Sequence, residues 1–182
     1  LIVGGGMIFT FFKVMGLNIG DSLLDEPSLP VAEEILARAR ESGTELVLPT
    51  DVTVATDFAD SAEHKDVLVT DIPDGWQGLD IGPQTTTRFA ELIAGARAVF
   101  WNGPMGVFEM PTFAVGTRKV GEAIAAATDG GALSVVGGGD SVAALNQLDL
   151  ADRISHVSTG GGASLEFMAG QELPGVAALS DA

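Results

Sequence analysis

The sequence predicts an α/β fold in which a doubly wound parallel sheet is covered by helices on both faces. Short apolar runs typical of buried strands alternate along the chain with segments of helical periodicity. The strands are nearly continuously apolar, as they are when both faces of a sheet are covered. Several of these runs end in glycine-rich turns, and right-handed crossovers would bring those ends to the sheet edge where such folds bind ligands.

The first 43 residues are predicted to contain one strand and two helices. "LIV" at residues 1–3 is the strand, and "MIFTFFKVMG" is a helix that Gly16 closes. "PVAEEILARARESG" is a helix that ends at Gly43. Its apolar residues recur at helical spacing and define one face, which comprises Val31, Ala32, Ile35, Leu36 and Ala39.

Residues 45–82 are predicted to contain two strands followed by a loop. "ELVLPTDVTVATDF" is a strand interrupted at Pro49, and "KDVLVTD" is a second, shorter strand. "IPDGWQGLDIG" contains turn residues and is predicted to be a loop, with Trp76 either packed beneath it or flanking an adenine ring.

The rest of the chain repeats the strand–helix unit. Pro83 begins a helix whose buried face holds Phe89, Leu92, Ile93 and Ala96. The segments that follow are predicted to be the strand "RAVFWNG", the helix "MPTFAVGTRKVGEAIAAA", the strand "ALSVVGGG", the helix "DSVAALNQL", the strand "RISHVSTGGG" and the helix "ASLEFMAG".

Composition and charge restrict the classes of ligand. The 182 residues are enough for one domain with a core, and 46% hydrophobic residues is a globular composition. The net charge of −16 disfavours nucleic acid and anionic membranes, so a phosphorylated ligand would need backbone N–H groups, helix N-termini or a metal ion. The absence of cysteine excludes disulfides and fits a reducing compartment, and we expect a cytoplasmic protein without a membrane-spanning segment.

Four glycine-rich strand ends are the candidate functional segments. They are Gly4–Gly6, "WNGPMGVFE" from Trp101 to Glu109, "GGGDS" from Gly137 to Ser141, and "STGGGAS" from Ser158 to Ser164. A single such cluster is commonly only a tight turn, whereas four on one sheet edge indicate a ligand site. The spacing G-x-G-x-x-G of dinucleotide folds and the Gly-Lys-Ser/Thr of P-loops are both missing.

The acidic residues in these segments allow two interpretations. Asp140 is either a helix N-cap or a Mg²⁺ ligand beside bound phosphates, with Ser141 donating to a phosphate oxygen. Glu109 is either a solvated loop acid or an acceptor for ribose hydroxyls. His156, inside "ISHVS", is predicted to be a packed core histidine, and no Ser–His–Asp constellation is recognisable.

These segments together resemble the C-terminal, nucleotide-binding domain of the phosphoglycerate kinase family. The similarity covers essentially the whole chain through the ordered set "LIVGGGMIFTF", "GWQGLDIGP", "VFWNGPMGVFE", "GGGDS", "ISHVSTGGGASLE" and "ELPGV". The resemblance implies a three-layer, Rossmann-like fold and reversible phosphoryl transfer. In that reaction 1,3-bisphosphoglycerate and MgADP give 3-phosphoglycerate and ATP.

The resemblance also implies a role for each matching residue. The adenine pocket would involve Gly5, Gly6, Leu23, Gly78 and Leu79. The ribose side would be lined by Asn102, Pro104, Gly106 and Val107, with Glu109 on the ribose hydroxyls. The phosphates and Mg²⁺ would be held by Gly138, Gly139, Asp140 and Ser141, with Asp140 as the metal ligand, and the transferring group would be stabilised by Gly160, Gly161 and Gly162. Ser141 replaces the family's usual threonine, and Met105 replaces a frequent proline.

Two family features have no counterpart in this sequence. They are the N-terminal domain, which carries the phosphoglycerate site, and the strand–helix unit with a Gly-Ala/Ser-Lys motif that begins the nucleotide domain. We therefore expect residues 1–182 to be this domain truncated at its N-terminus, inactive alone, and lacking its central first strand. Loss of that strand would leave two strand edges unpaired. We expect that the sheet then closes differently, that another chain supplies the strand, or that the fragment self-associates through these edges. The resemblance implies a monomer for the intact protein.

Two other functions remain alternatives. One is a nucleotide-binding module without catalysis, and the other is a Rossmann-type dinucleotide-binding domain.

Overall fold

A computed structural model describes residues 1–158 and 160–179 as a mixed α/β fold with two separate three-stranded sheets. Thr159, inside the "STGGGAS" segment, and residues 180–182 lie outside the described residues. The strands are β1 (Asp51–Ala55), β2 (His64–Leu68), β3 (Gln77–Ile81), β4 (Ala98–Asn102), β5 (Leu133–Gly137) and β6 (His156–Ser158). The helices are α1 (Ile8–Val14), α2 (Leu29–Ser42), α3 (Pro83–Ala94), α4 (Val115–Asp129), α5 (Gly139–Gln147), α6 (Gly161–Met168) and α7 (Pro174–Ala177).

One sheet is parallel, in the order β4-β5-β6, and it confirms the strand–helix alternation predicted for the second half of the chain. Asn102 lies opposite Gly137, and Gly137 opposite Ser158, so the carboxyl ends of the three strands meet at one edge. The glycine-rich turns that follow the strands are therefore neighbours, as the parallel topology predicts.

The other sheet is antiparallel, in the order β2-β1-β3, and the prediction of a single parallel sheet is wrong for this half of the chain. Parallel neighbours need a crossover of a dozen or more residues, usually a helix. Only residues 56–63 separate β1 from β2, and residues 69–76 separate β2 from β3. Neither connection contains a helix, so the strands pair antiparallel.

The segment "IPDGWQGLDIG" is also not a loop throughout, because β3 begins at Gln77 within it. Gly78 and Asp80 hide the strand from the sequence pattern, since neither residue favours β structure. Their partners on β1 are Val54 and Thr53, and Leu79 and Ile81 are buried.

Residues 1–3 form only an isolated parallel bridge and not a full strand. Ile2 is paired with Val47, the Val3 N–H donates to the Val47 carbonyl (3.0 Å), and the Val47 N–H donates to the Leu1 carbonyl (2.8 Å). Leu1–Val3 and β4 do not pair with each other, so the sheet does not close across the space between them.

Two apolar clusters make up most of the core. One packs α3 and α4 against the parallel sheet and includes Phe89, Ile124 and Val136. The other packs α1 and α2 against the antiparallel sheet around Phe12 and Val54. Phe12 and Phe89 are almost fully buried, so truncating either to alanine costs about 3–5 kcal/mol of the free energy of unfolding.

Two residues of the predicted apolar helix faces, and the histidine predicted to be packed in the core, are exposed. Val31 is 54% exposed, and Ala32 is the residue of α2 that is fully buried. Leu92 is 38% exposed and lines a pocket described below. His156 is exposed because β6 is the edge strand of its sheet. Among the described residues, no helix has the length and apolarity needed to cross a bilayer.

Candidate functional site

The first glycine-rich turn lies against the turn that follows β4. The Gly5 N–H donates to the Met105 carbonyl (3.1 Å), and a Cβ at Gly5 would lie 2.8 Å from the Pro104 carbonyl oxygen. Gly5 also has a φ of +67°, a conformation that L side chains rarely adopt. Glycine is therefore required here both by the backbone conformation and by the close approach of the two turns.

Glycines also allow close packing on the side predicted for adenine. A Cβ at Gly6 would lie 2.9 Å from Cδ2 of Leu23, whose side chain is 73% exposed. Gly78 is packed against the ring of Phe9, and its N–H donates to Oγ of the buried Ser22 (2.9 Å). The glycines thereby leave an open apolar surface that a planar base could contact.

The segment that we name the rim loop, residues 103–108, is held by three elements. The Val107 N–H donates to the Leu79 carbonyl on β3 (2.9 Å). Oγ1 of Thr117, in α4, accepts the N–H groups of Met105 (3.0 Å) and Gly106 (3.3 Å). The Gly103 N–H donates to Oγ of Ser141 in α5 (2.7 Å). The loop is therefore rigidly placed, and Thr117, which the sequence analysis did not single out, is one of its anchors.

Ser141 lies beneath the rim loop and is fully buried. Its hydroxyl already accepts the Gly103 N–H, so the structure gives it a role in positioning the loop. Contact between this hydroxyl and a phosphate stays a prediction. Trp101 packs below the same loop and donates from Nε1 to the Gly103 carbonyl (2.6 Å).

The glycine-rich ends of β4, β5 and β6 converge at the carboxyl edge of the parallel sheet. The Gly138 N–H donates to the Ser158 carbonyl (3.2 Å). A Cβ at Gly161 would lie 2.5 Å from Cα of Gly138 and 3.3 Å from Nδ2 of Asn102. Helices α5 and α6 both begin at this edge, and the free N–H groups of their first turns suit an anion. Gly139, Gly160 and Gly162 are exposed there.

Asp140 is not an N-cap, which excludes the simpler of its two interpretations. The N-cap of α5 is Gly138, with a φ of +99°, and no side chain makes a capping hydrogen bond. Asp140 instead lies in the first turn with its carboxylate exposed. Glu109 is also exposed, at the end of the rim loop.

A pocket of about 1050 Å³ extends between these segments. Nine of the fourteen residues predicted for nucleotide binding line it: Gly5, Gly6, Leu23, Gly78, Leu79, Asn102, Pro104, Gly106 and Val107. Glu109 and the "GGGDS" residues 138–141 do not line it. Leu165, in the helix that follows the last glycine-rich turn, does line it, so the pocket reaches from the adenine side to the edge formed by β4–β6.

The end of the pocket away from the glycine-rich turns is lined by apolar strand residues. Its opposite walls are Leu1–Val3 and residues 98–100 of β4, with Ile93 and Ile124 behind them. β4 has a strand partner only on the β5 side, and Leu1–Val3 has one only on the Val47 side. Two unpaired strand edges therefore face an apolar space.

Trp76 and the two histidines lie away from this pocket. Trp76 is half-buried, and Nζ of Lys65 lies 4.2 Å from its ring centroid, so a role beside adenine is not supported. The exposed His64 packs its ring edge-on against Phe113.

Asp80 is a buried acid of the pocket wall that the sequence analysis missed. Burial raises the pKa of its carboxyl to about 7, although hydrogen bonds from the N–H groups of Gly116, Ile81 and Val115 act in the opposite direction. A carboxyl that stays uncharged up to neutral pH is uncommon and marks functional sites more often than chance. The signal in the sequence was an acid between Leu79 and Ile81.

Comparison with known proteins gives a consistent result. The sequence profile of the family "Phosphoglycerate kinase" matches residues 1–171. The phosphoglycerate kinase of Chloroflexus aurantiacus is 57% identical over all 182 residues, and that of Synechococcus elongatus 54%. The chain spans 46% and 45% of those two proteins, so it corresponds to about half the length of these relatives.

Solved structures agree with the sequence match. The phosphoglycerate kinase of Coxiella burnetii superimposes with a TM-score of 0.91 and 42% identity, over 97% of this chain and 45% of that chain. The enzyme from Pyrococcus horikoshii gives a TM-score of 0.80 with 34% identity, over 98% of this chain and 44% of its own. Both the profile and the superpositions therefore lead to one assignment: this chain belongs to the phosphoglycerate kinase family.

Proposed function

We propose that this chain provides the nucleotide side of a glycolytic phosphoryl transfer in which 1,3-bisphosphoglycerate and MgADP give 3-phosphoglycerate and ATP. The observation that carries the proposal is the pocket, because nine residues that the resemblance assigns to nucleotide binding line one cavity that reaches the glycine-rich sheet edge. Phosphoryl transfer needs positioning and charge stabilisation more than an activated nucleophile. A cavity lined by glycine turns at helix N-termini suits that requirement.

Each group of residues has a proposed part in binding. The open surface around Leu23 and Gly78 takes the adenine, and the rim loop with Glu109 takes the ribose. The N–H groups at the start of α5, around Gly138 and Gly139, take the phosphates, and Gly160–Gly162 stabilise the transferring group. Glu109 does not line the pocket. For Glu109 to accept the ribose hydroxyls, the bound nucleotide must extend past the rim loop.

The residues present fit a magnesium ion that is carried by the nucleotide. Mg²⁺ usually keeps several waters and is bound by one or two carboxylates together with substrate phosphates. Asp140 offers one exposed carboxylate beside the α5 N-terminus, and the described residues contain no cluster of three His, Asp or Glu side chains. When bound, Mg²⁺ would neutralise phosphate charge, and Asp140 would hold and orient it.

The phosphoglycerate side of the reaction is proposed to lie outside these residues. The sequence has only 9 basic residues against 25 acidic ones, and they form no basic patch in the sequence. In the described part of the chain, four of the basic side chains are paired with acidic ones. Residues 1–182 thus constitute the nucleotide-binding domain, and a cytoplasmic location follows from a glycolytic role. A non-catalytic nucleotide-binding module has the same pocket, and turnover separates the two.

We also propose that the parallel sheet is completed by a strand that lies between Leu1–Val3 and β4. The support is the apolar space between Leu1–Val3 and β4, each of which has one unpaired edge facing it. The carboxyl ends of the two segments lie together, because the Gly5 N–H donates to the Met105 carbonyl. A strand there would restore the doubly wound order. Phe100 points its N–H away from β5, towards the unpaired edge, whereas the Val99 N–H faces β5. Amide exchange at Phe100 should then be slow in a full-length enzyme and fast in this chain alone. Equal rates would contradict the proposal.

Calorimetric titration with MgADP tests the proposed binding function. We expect saturable binding of MgADP and none of a nicotinamide dinucleotide, whose binding would instead favour the dinucleotide alternative. Leu23→Ala should weaken MgADP binding about fivefold through lost apolar contact. Leu133→Ala is the matched control, because Leu133 is also exposed but lies at the opposite end of β5. Absence of MgADP binding to the unsubstituted chain would refute the proposal.

A further inference from the structure

The buried carboxyl of Asp80 connects β3 to the start of α4. Its side chain is only 5% exposed, and both oxygens accept backbone N–H groups. Oδ2 accepts from Gly116 (2.8 Å), in the first turn of α4, and Oδ1 accepts from Ile81 (2.8 Å). The positive end of the helix dipole and these N–H groups offset part of the cost of burying an ionised carboxylate here.

The same carboxyl lies directly against the rim loop. A Cβ at Gly106 would collide with Oδ1 of Asp80, and a Cβ at Gly116 would collide with the same oxygen. Two glycines thus bring the loop and the helix into contact with one acidic group. Because Thr117 also bonds the N–H groups of Met105 and Gly106, the loop depends on the position of the α4 start.

The charged groups around Asp80 offer it no cation. Thr53 of β1 is paired with Asp80 on one side and with Asp66 of β2 on the other, and the Thr53 hydroxyl donates to Oδ1 of Asp66 (2.7 Å). The negative charge of Asp66 adds to the effect of burial in raising the pKa of Asp80. Arg118 and Lys119 of α4 are exposed, and none of the ion pairs in the described residues involves Asp80. On β2, the ring of His64 contacts Phe113.

Protonation of Asp80 weakens the hydrogen bonds that its carboxylate accepts from the backbone. A carboxylate accepts at both oxygens, whereas a protonated carboxyl presents a donor at one of them. The oxygen that carries the proton is a weaker acceptor, so the N–H group that faces it, Gly116 at Oδ2 or Ile81 at Oδ1, is held less tightly. Weakening the Gly116 bond would loosen the start of α4 and with it the rim loop.

We propose that ionised Asp80 is a positioning residue that holds the rim loop in its nucleotide-binding shape, and that protonation of Asp80 weakens nucleotide binding. The inference rests on the proposed function, since it names the residue that keeps the ribose wall of that site in place. Asp80 contacts the backbone of the wall through Gly106, and it acts through α4 and Thr117.

The stability of the fold should change with pH in the opposite direction. The folded carboxyl, with a pKa of about 7, keeps its proton at pH values where the unfolded one, at 3.8, has lost it. The contribution of Asp80 to the free energy of unfolding therefore falls as pH rises from about 4 to about 7. Weak nucleotide binding at pH 6 thus cannot be caused by loss of this contribution, which distinguishes positioning from a merely structural role.

The experiment combines amide NMR with MgADP titration between pH 6 and 8.2. In the unsubstituted protein, the amide shifts of Gly116, Gly106 and Val107 should titrate with one common midpoint. The pH dependence of MgADP binding to Asp80→Asn measures the effect of protonating ADP itself. After that change is subtracted, the unsubstituted protein should bind MgADP about fivefold more weakly at pH 6 than at pH 8.2. Asp51→Asn is the matched control, because Asp51 is equally buried and caps α3 through Gln84 and Thr85.

The outcomes separate this inference from the function on which it rests. Asp51→Asn should lower the free energy of unfolding and keep the pH dependence of binding. Loop amides that do not follow the Gly116 titration, or a pH dependence that survives in Asp80→Asn, would overturn the inference. Absence of MgADP binding at every pH would refute the proposed function instead, and the common midpoint of the amides would still report the coupling of Asp80 to the loop.

Discussion

Asp140 and Ser141 are adjacent in the chain but lie in opposite environments at the start of α5. The carboxylate is exposed at the rim, whereas the hydroxyl is fully buried and bonded to Gly103. Since the N-cap is Gly138, the carboxylate does not hold the helix. A carboxylate beside bound phosphate would be repelled, unless a divalent cation lies between them.

Asp140→Asn should therefore reduce binding of ADP in the presence of Mg²⁺ while leaving the fold intact. We expect affinity with Mg²⁺ to fall by about tenfold towards the value without it, because one charged ligand of the cation is removed. The free energy of unfolding should change by less than about 0.5 kcal/mol, as for an exposed site. Titrations with and without Mg²⁺ measure the effect.

Asp149→Asn is the control for lost charge. Asp149 is exposed just beyond the far end of α5, and its φ of +54° is one that asparagine tolerates well. It should keep the full Mg²⁺ dependence. An unchanged Mg²⁺ dependence in Asp140→Asn would remove Asp140 from the proposed metal site.

At the scale of elements, the starts of α5 and α6 are placed by the contact between two glycine turns. Gly161 begins α6 directly against Gly138, whereas Gly162, one residue later, has open space where a Cβ would be. The two glycines therefore form a matched pair that differs in contact, although both lie in the first turn of α6.

Gly161→Ala should displace α6 from the α5 turn. We expect a loss of about 1–3 kcal/mol in the free energy of unfolding and a clear loss of MgADP affinity, because a backbone neighbour must move. Gly162→Ala should be neutral or stabilising by up to about 1 kcal/mol, since alanine favours the helix. Urea unfolding and MgADP titration of both variants provide the comparison. Equal effects of the two substitutions would show that the Gly138 contact is unimportant.

At the scale of the whole molecule, the described residues contain the pocket proposed for the nucleotide, whereas the site for the acyl phosphate is proposed to lie outside them. The strongly acidic composition disfavours a second polyanion, and the apolar end of the pocket leaves two strand edges unpaired. Binding and turnover are therefore separable properties of these residues.

The purified 182-residue chain should not form ATP from 1,3-bisphosphoglycerate and MgADP. The reason is that transfer needs the second substrate held in line with the nucleotide, and proximity supplies a large share of the rate. A coupled assay of ATP formation, with a full-length member of the family as the positive control, measures this. ATP formation that is faster than the uncatalysed reaction, and that elutes together with the chain during purification, would contradict the prediction.

The sequence by itself determined the local elements and the glycine turns, because helical spacing, capping glycines and apolar runs act over a few residues. Gly16 and Gly43 end their helices as predicted, and β4, β5 and β6 fall within the predicted runs. The family and nine of the residues lining the pocket also followed from motifs that are local in the chain.

Only the tertiary structure decided which segments that are distant in the chain pair and pack against each other. β3 was not recognised because Gly78 and Asp80 are poor strand formers alone and become suitable only against Phe9 and the start of α4. The antiparallel pairing of β1 with its neighbours, the burial of Ser141 and the raised pKa of Asp80 likewise depend on contacts across many residues. Burial and pairing are properties of the packed chain, and no local pattern encodes the group that will be on the other side of a contact.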